Sequence, residues 1–271
     1  MNNTKMNIGV CNWSLQMDIS GAASFMKEAG INHVHLAVGP ALGDDGSSYL
    51  SAAKKQDWKI SSTMINFPQE DYSTLDTIKE TGGITPDGCW DVNKDRFIRA
   101  AEITKDLNVS YISMHAGFID HNDSAKYRVM CNRVTELADI AADNGTILLL
   151  ETGQETAQEL KDFMDEIKHP STGVNIDPAN MILYAKGDPV EGVKILDQWI
   201  RHVHIKDAVR AKTPGQWGTE VPWGQGQVET VEFLKALSAI GYEGTLAVER
   251  EGGEDRCGDV KLAVNRLKQY L

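Results

Sequence analysis

Cysteine is scarce in this chain: four in 271 residues, and those four, Cys11, Cys89, Cys131 and Cys257, stand far apart. They form no CxxC pair and no zinc-finger spacing, which leaves free thiols as the expectation and removes a cysteine-based metal module. Long hydrophobic runs are also missing. No apolar stretch reaches the roughly 20 residues that cross a bilayer, so no membrane partner is expected. The opening MNNTKMNIGV holds no apolar h-region of the secretory type and passes at once into strand-like sequence, so the expectation is a cytoplasmic protein. Positive charge is in deficit, with 27 Lys and Arg against 39 Asp and Glu, a net charge of -12. A nucleic-acid binder needs a basic footprint to neutralise phosphates, so DNA and RNA are not expected partners. Nucleotide loops are absent as well: there is no GxGxxG after the first strand-like run and no Walker A sequence.

What is present is ordinary in bulk, at 41 % hydrophobic and 24 % charged, and orderly in pattern. No repeat, low-complexity tract or linker divides the chain, so residues 1–271 are read as one domain. Short β-branched and apolar runs recur at 7–11, 33–38, 59–65, 110–115, 146–151, 173–177, 202–207 and 244–249. They have the character of buried parallel strands. Stretches of helical period lie between them. Ser124 is placed to cap a helix whose apolar face holds Val129, Met130, Val134, Leu137 and Ala141, with Gly145 ending it in a left-handed conformation. Leu160, Phe163, Met164 and Ile167 make a second stripe; Val228, Val231, Leu234 and Leu237, closed by Gly241, make a third. Strict alternation of strand and helix implies a parallel sheet with helical crossovers, and eight such units in about 250 residues is the size of a (β/α)8 barrel. A doubly wound open sheet is the competing α/β arrangement. The long segment from Phe67 to Trp90 reads as a lid, a binding loop or a surface excursion.

A barrel carries its chemistry at the C-terminal ends of its strands. Here the fifth run ends at Glu151, the sixth at Asp177 and the eighth at Glu249, while the seventh carries His204. Three carboxylates and an imidazole suit Mn²⁺, Mg²⁺, Co²⁺ or Zn²⁺ rather than a thiolate-preferring ion. Crowded together without a cation, the carboxylates would repel one another into protonation. One divalent cation, Mn²⁺ in the first instance, is therefore the expected cofactor.

The stretches LLLETG, VNIDPAN, RHVHIKD, WGQGQV and GYEGTLAVERE resemble the sugar-phosphate isomerase/epimerase family, built on a xylose-isomerase-like TIM barrel. That superfamily also holds ketose 3-epimerases, inosose dehydratase-like proteins and endonuclease IV. The resemblance implies Glu151, Asp177, His204 and Glu249 as metal ligands, the set reached from the strand ends, with Glu151 and Glu249 also as acid/base residues. It implies a packed or supporting His202, and a Lys206 that meets a substrate oxygen. Asn180 stands where ketose 3-epimerases often carry a histidine. His115 matches one endonuclease IV histidine, but the MINFP segment has none, and with the acidic charge that activity is disfavoured.

The implied activity is a metal-dependent isomerase or epimerase acting on a sugar through an enediolate. A lyase or dehydratase acting on a keto-sugar or inosose, and a non-catalytic sugar-binding barrel that keeps its metal, are the alternatives. His115, Asn180, Lys206 and Trp13 are the substrate-binding candidates, and Phe67 and Trp223 are further aromatics near strand ends. WGQGQV is either a phosphate cradle of backbone N–H groups or a tight turn. The expected partner is a small-molecule sugar, with a homo-oligomer expected by analogy with similar barrels.

Overall fold

The computed structural model describes residues 6–271. Among these described residues ten strands form: β1 (Asn7–Cys11), β2 (His33–Ala37), β3 (Lys59–Met64), β4 (Tyr111–Met114), β5 (Ile147–Glu151), β6 (Thr172–Ile176), β7 (Ile200–Ile205), β8 (Asp207–Val209), β9 (Thr219–Val221) and β10 (Thr245–Val248). Eight of them close into a parallel barrel in the order β1-β10-β7-β6-β5-β4-β3-β2. The helices are α1 (Ile19–Ala29), α2 (Gly46–Lys54), α3 (Leu75–Thr81), α4 (Trp90–Asp106), α5 (Ser124–Asp143), α6 (Ala157–Ile167), α7 (Pro178–Leu183), α8 (Pro189–Ile195), α9 (Thr230–Ala239) and α10 (Arg256–Leu267). The (β/α)8 expectation holds, and the open sheet is excluded by closure.

Alternation along the strands explains both layers. Val10, Ile112, Leu148, Leu150, Val174, Ile176, Val203, Ile205, Leu246 and Val248 pack in one core with helix residues such as Phe97, Val134, Leu137, Phe163 and Leu237. With a period of two, the intervening residues face the bore. They include Ser113, Asn175, His202, His204 and, toward the C-terminal end, Glu151, all buried. The bore of this barrel is thus markedly polar where it approaches the mouth.

Several local readings need correction. Asp123, not Ser124, caps α5: its carboxylate accepts from the Ala125 and Lys126 N–H groups at 3.0 and 3.1 Å. Val129 lies on the outer side of that helix, 39 % exposed. Gly145 does take a left-handed φ of 69° after α5, and Gly241 one of 72° after α9. The segment 67–90 is not an unstructured loop. It holds α3 and a turn at Asp87–Cys89, and buries Ile78 and Ile84 completely. The Glu70 carboxylate ties it down by accepting from Phe67 N at 2.9 Å and Gly83 N at 3.1 Å. The seventh strand begins at Ile200 and stops at Ile205. Beyond it, β8 pairs antiparallel with β9 in a hairpin that sequence reading missed.

Candidate metal and substrate site

The four strand-end groups meet at the mouth of the barrel. Asp177 directly follows β6 and caps α7, its Oδ1 accepting from Asn180 N at 2.8 Å. Pro178 at the first helical position fits that start. One carboxylate oxygen is thereby fixed, and Oδ2 is left to face the centre. His204 Nδ1 stands 3.4 Å from Glu151 Oε1, from Asp177 Oδ2 and from Glu249 Oε2. The four ligand atoms all lie within 4.8 Å of one another. His204 Nδ1 and Asp177 Oδ2 are both buried with no hydrogen-bond partner. Ligands about 2.1 Å from a shared ion at tetrahedral or octahedral angles would stand about 3.0–3.5 Å apart. The spacing, the donor chemistry and the two unpartnered atoms therefore fit a divalent cation.

Beneath this ring lies a supporting layer. His204 Nε2 is 2.9 Å from His35 Nδ1, and His35 Nε2 is 2.8 Å from Ser113 Oγ. Burial, aided by the charge on His204, pushes the His35 pKa down to about 3, so its ring is neutral. Without an ion, burial opposes a charge on His204, but Glu151, Glu249 and Asp177 outweigh it and keep the ring protonated. With a cation held there, a consistent assignment has His204 Nε2–H donating to His35 Nδ1 and His35 Nε2–H donating to Ser113, which leaves a lone pair on His204 Nδ1. Asn175 Nδ2 donates to Glu151 Oε2 at 3.1 Å, while Asn175 Oδ1 is 3.0 Å from His202 Nδ1. His202 Nε2 is 3.0 Å from Ser61 Oγ. His202 is thus enclosed within the layer, one step removed from the ring. Cys11 Sγ approaches His35 Nδ1 at 4.0 Å, and burial drives its thiol up to about 12. It sits there as a protonated, apolar neighbour rather than as a thiolate ligand.

The remaining candidates converge as well. Lys206 Nζ donates to Glu249 Oε2 and Glu251 Oε2, both at 2.8 Å, and lies 3.4 Å from Asn180 Oδ1. Burial would strip its charge, but Glu249, Glu251, Asp177 and Glu220 outweigh burial and hold its pKa well above the ordinary lysine range. Burial likewise opposes ionisation of Glu249, yet Lys206 and His204 hold its carboxyl well below the usual range. For Asp177 burial prevails and the carboxyl rises to about 6. Trp13 Nε1 donates to Glu249 Oε1 at 2.9 Å. Asn180 Nδ2 donates to Glu151 Oε1 at 2.9 Å, and His115 Nε2 is 3.6 Å from the same oxygen. Burial lowers the His115 pKa, but Glu151, Glu70 and Glu249 more than offset it, and the net direction is up. The outer oxygens of Glu151 and Glu249 are thus engaged by Asn175 and Trp13, rather than standing unengaged toward the substrate.

Above the ring opens a pocket of about 720 Å³, lined by Trp13, Phe67, Tyr72, Tyr184 and Trp217 among others. Trp223 is not part of it; its ring is buried beside Phe233, 6.4 Å between centroids. A larger groove of about 880 Å³ runs past Phe118, His121 and Glu155, but the convergent ligands lie beside the smaller pocket. Sequence reading missed His35 and Asn175, which look like ordinary strand residues, and Trp217 and Glu220, which the unforeseen hairpin brings in.

Closed parallel barrels with an acidic, histidine-bearing mouth define the class. Within it, the chain belongs to the xylose isomerase-like TIM barrel family, whose family model matches residues 23–270. An inosose dehydratase from Clostridium botulinum (strain Alaska E43 / Type E3) is 24% identical over 169 residues, 56% of this chain and 55% of that protein. The match thus spans about half the length of that curated relative. A xylose isomerase domain protein from Planctomyces limnophilus superposes with a TM-score of 0.87 at 25% identity, covering 99% of this chain and 97% of that one. The 3-keto-D-glucoside 4-epimerase YcjR from E. coli shares the fold, with a TM-score of 0.75 at 16% identity over 97% of this chain and 99% of that one. The relatives are thus sugar-modifying enzymes, epimerases and dehydratases among them. Among the described residues, no helix is long and apolar enough to cross a membrane.

Proposed function

We propose that this protein is a divalent-cation-dependent isomerase or epimerase that moves a proton at the carbon beside a carbonyl in a sugar or sugar derivative. The observation that carries this reading is the convergence of Glu151, Asp177, Glu249 and His204 Nδ1 beside a pocket of about 720 Å³, large enough to admit a sugar. Glu151, Asp177, His204 and Glu249 would hold the cation, with Mn²⁺ the first choice among hard ions. When bound, such an ion supplies Lewis-acid polarisation of the carbonyl. Glu151 and Glu249 approach the centre from β5 and β10, on either side of β6 and β7, and serve as the paired base and acid. Asn180 and Trp13 hold those carboxylates in place, and Lys206 keeps Glu249 ionised. Proton return to the same carbon gives an epimer; return to the neighbouring carbon gives an isomer.

A dehydratase is the second reading, and a specific feature favours it. His115 lines the pocket, and the carboxylates around it favour its protonated form, so it can donate a proton to a departing hydroxyl. Incubating the Mn²⁺-loaded protein in D₂O with free ketoses, keto-glycosides and inososes tests both readings. Deuterium at the carbon next to the carbonyl, in the recovered substrate or its epimer, supports the first. Loss of water with the same exchange supports the second. Binding without any exchange rejects both.

The four free cysteines support a reducing compartment such as the cytoplasm. A homo-oligomer belongs to the same proposal, and light scattering on the purified protein decides it.

A further inference from the structure

The stretch WGQGQV raises the question of a phosphate. Its backbone does form an anion cradle, but the anion belongs to the chain. Asp207 Oδ2 accepts from Gly224 N at 2.8 Å and Gly226 N at 2.9 Å, while Oδ1 accepts from Val228 N at 3.0 Å and Ala208 N at 2.8 Å. Asp207 is itself 1 % exposed, so the cradle is closed around it. A Cβ at Gly226 would stand 2.2 Å from Asp207 Oδ1, which shows how closely the loop wraps the carboxylate. The N–H groups of Gly224, Gly226 and Val228 are thus all taken by Asp207, and those of Gln225 and Gln227 by the Pro222 and Ala208 carbonyls at 2.9 and 2.8 Å.

The pocket itself points the same way. Its walls carry Glu70, Glu220, Glu249 and Glu251 against Lys206 and His115, with no arginine among the described residues of the lining. Lys206 is already engaged by Glu249 and Glu251 at 2.8 Å each. Arg250 is bridged to Glu220 and Asp259, and Arg96 donates from Nε to the Asn66 carbonyl. What faces the cavity instead is aromatic: Trp13, Phe67, Tyr72, Tyr184 and Trp217. Such rings suit the C–H faces of a sugar. The Trp217 Nε1–H is buried and unpartnered.

We infer that the substrate is an uncharged polyol or keto-sugar, and that Asp207 and the carboxylate-rich walls exclude phosphate esters. This rests on the sugar-enzyme reading above. A phosphate monoester brings close to two negative charges at neutral pH, and the Lys206 and His115 side chains of the pocket already face carboxylates. The test uses the full chain and matched pairs: fructose with fructose 6-phosphate, and ribulose with ribulose 5-phosphate. Binding is read by tryptophan fluorescence, since Trp13 and Trp217 line the cavity, in both metal-free and Mn²⁺-loaded protein; exchange in D₂O is read separately. The expected result is at least 100-fold weaker binding for each phosphorylated member. Equal or tighter binding of a phosphate ester overturns the inference. If an uncharged sugar binds preferentially and no C–H exchange follows, the inference stands while the catalytic reading fails. Asp207→Gly supplies an independent check with inorganic phosphate as probe. The parent should show no phosphorus-NMR line broadening on titration, whereas the opened cradle should. A folded Asp207→Gly protein that ignores phosphate removes the cradle from the argument, and the matched pairs still decide the inference if that variant does not fold.

Discussion

Replacing His35 by phenylalanine should weaken cation binding without touching a ligand. The His204 ring is 0 % exposed, so no solvent can substitute when the acceptor 2.9 Å from its Nε2 is removed. The next polar atom is Asn175 Nδ2 at 3.2 Å, and its hydrogen bond to Glu151 fixes it as a donor. Two donors would then face each other. The ring has one escape, which is to move its proton to Nδ1 and accept from Asn175. That tautomer points an N–H at Glu151, Asp177 and Glu249, a comfortable arrangement without a cation and a blocking one with it. The penalty is therefore either an unsatisfied buried N–H, about 1–3 kcal/mol, or the reversal of the tautomer. Loss of such outer partners typically lowers metal affinity 10–100-fold, equivalent to roughly 1.4–2.7 kcal/mol.

Titration calorimetry with Mn²⁺ on His35→Phe reads this directly, with far-UV circular dichroism as the check on folding. His35→Gln keeps a carbonyl acceptor and should recover part of the lost affinity, which a purely space-filling role for His35 would not produce. A folded His35→Phe protein that binds Mn²⁺ within threefold of the parent would refute the tautomer argument.

Glu151→Gln and Glu249→Gln should each lower turnover by about 10²–10⁴-fold or more in a sugar-exchange assay, with the fold intact by circular dichroism. Lys206→Met removes a cation 2.8 Å from Glu249 Oε2, so Mn²⁺ should bind at least about tenfold tighter by calorimetry while turnover falls. Saturating Mn²⁺ at about 100 times its Kd should stabilise the parent by about 2.7 kcal/mol in thermal unfolding, and leave a His204→Ala protein nearly unmoved. Glu155 has its carboxyl pushed by burial from 4.5 to about 7, so the folded chain holds that proton more tightly than the unfolded one. Its contribution is fully favourable below pH 4.5 and is lost as pH rises through about 7. Glu155→Gln should thus gain up to roughly 3 kcal/mol over the parent at pH 8 and show no such gain near pH 4.5, in paired denaturant melts.

Much of this site was legible because a barrel strand alternates with a period of two and ends at the mouth. Apolar runs such as TILLL and GTLAV announce strands by composition, and the carboxylate that closes each run falls at the same height. His35 was not legible in that way. In HVHLAV it is one of two histidines two residues apart, with nothing in the sequence to set it above His33. Only closure of the barrel sets His35 against His204, 169 residues away and on a strand that is not its neighbour. Asn175 was hidden for the same reason, on β6 two positions before the ligand that follows the strand. The hairpin β8–β9 was beyond reach on other grounds. Its strands, DAV and TEV, are three residues each, too short for any periodicity to show. Yet that hairpin carries Glu220 and stands beside Trp217, and so sets much of the pocket's character.

Asp207 shows where a sequence argument stops and what a structure adds. The two glycines of WGQGQV do mark a backbone that can surround an anion, because that geometry leaves little room for a Cβ. Whether the anion is a ligand or a side chain depends on a residue 17 positions earlier than the first glycine, at the start of β8. In RHVHIKD the aspartate stands one place past the lysine. The strand period turns it away: His202, His204 and Lys206 face the bore, and Asp207 faces the loop. One alternation thus assigns Lys206 to the pocket and Asp207 to the cradle. The same alternation that builds the cation site closes the loop to a substrate phosphate, so the two halves of RHVHIKD set the chemistry and its selectivity together.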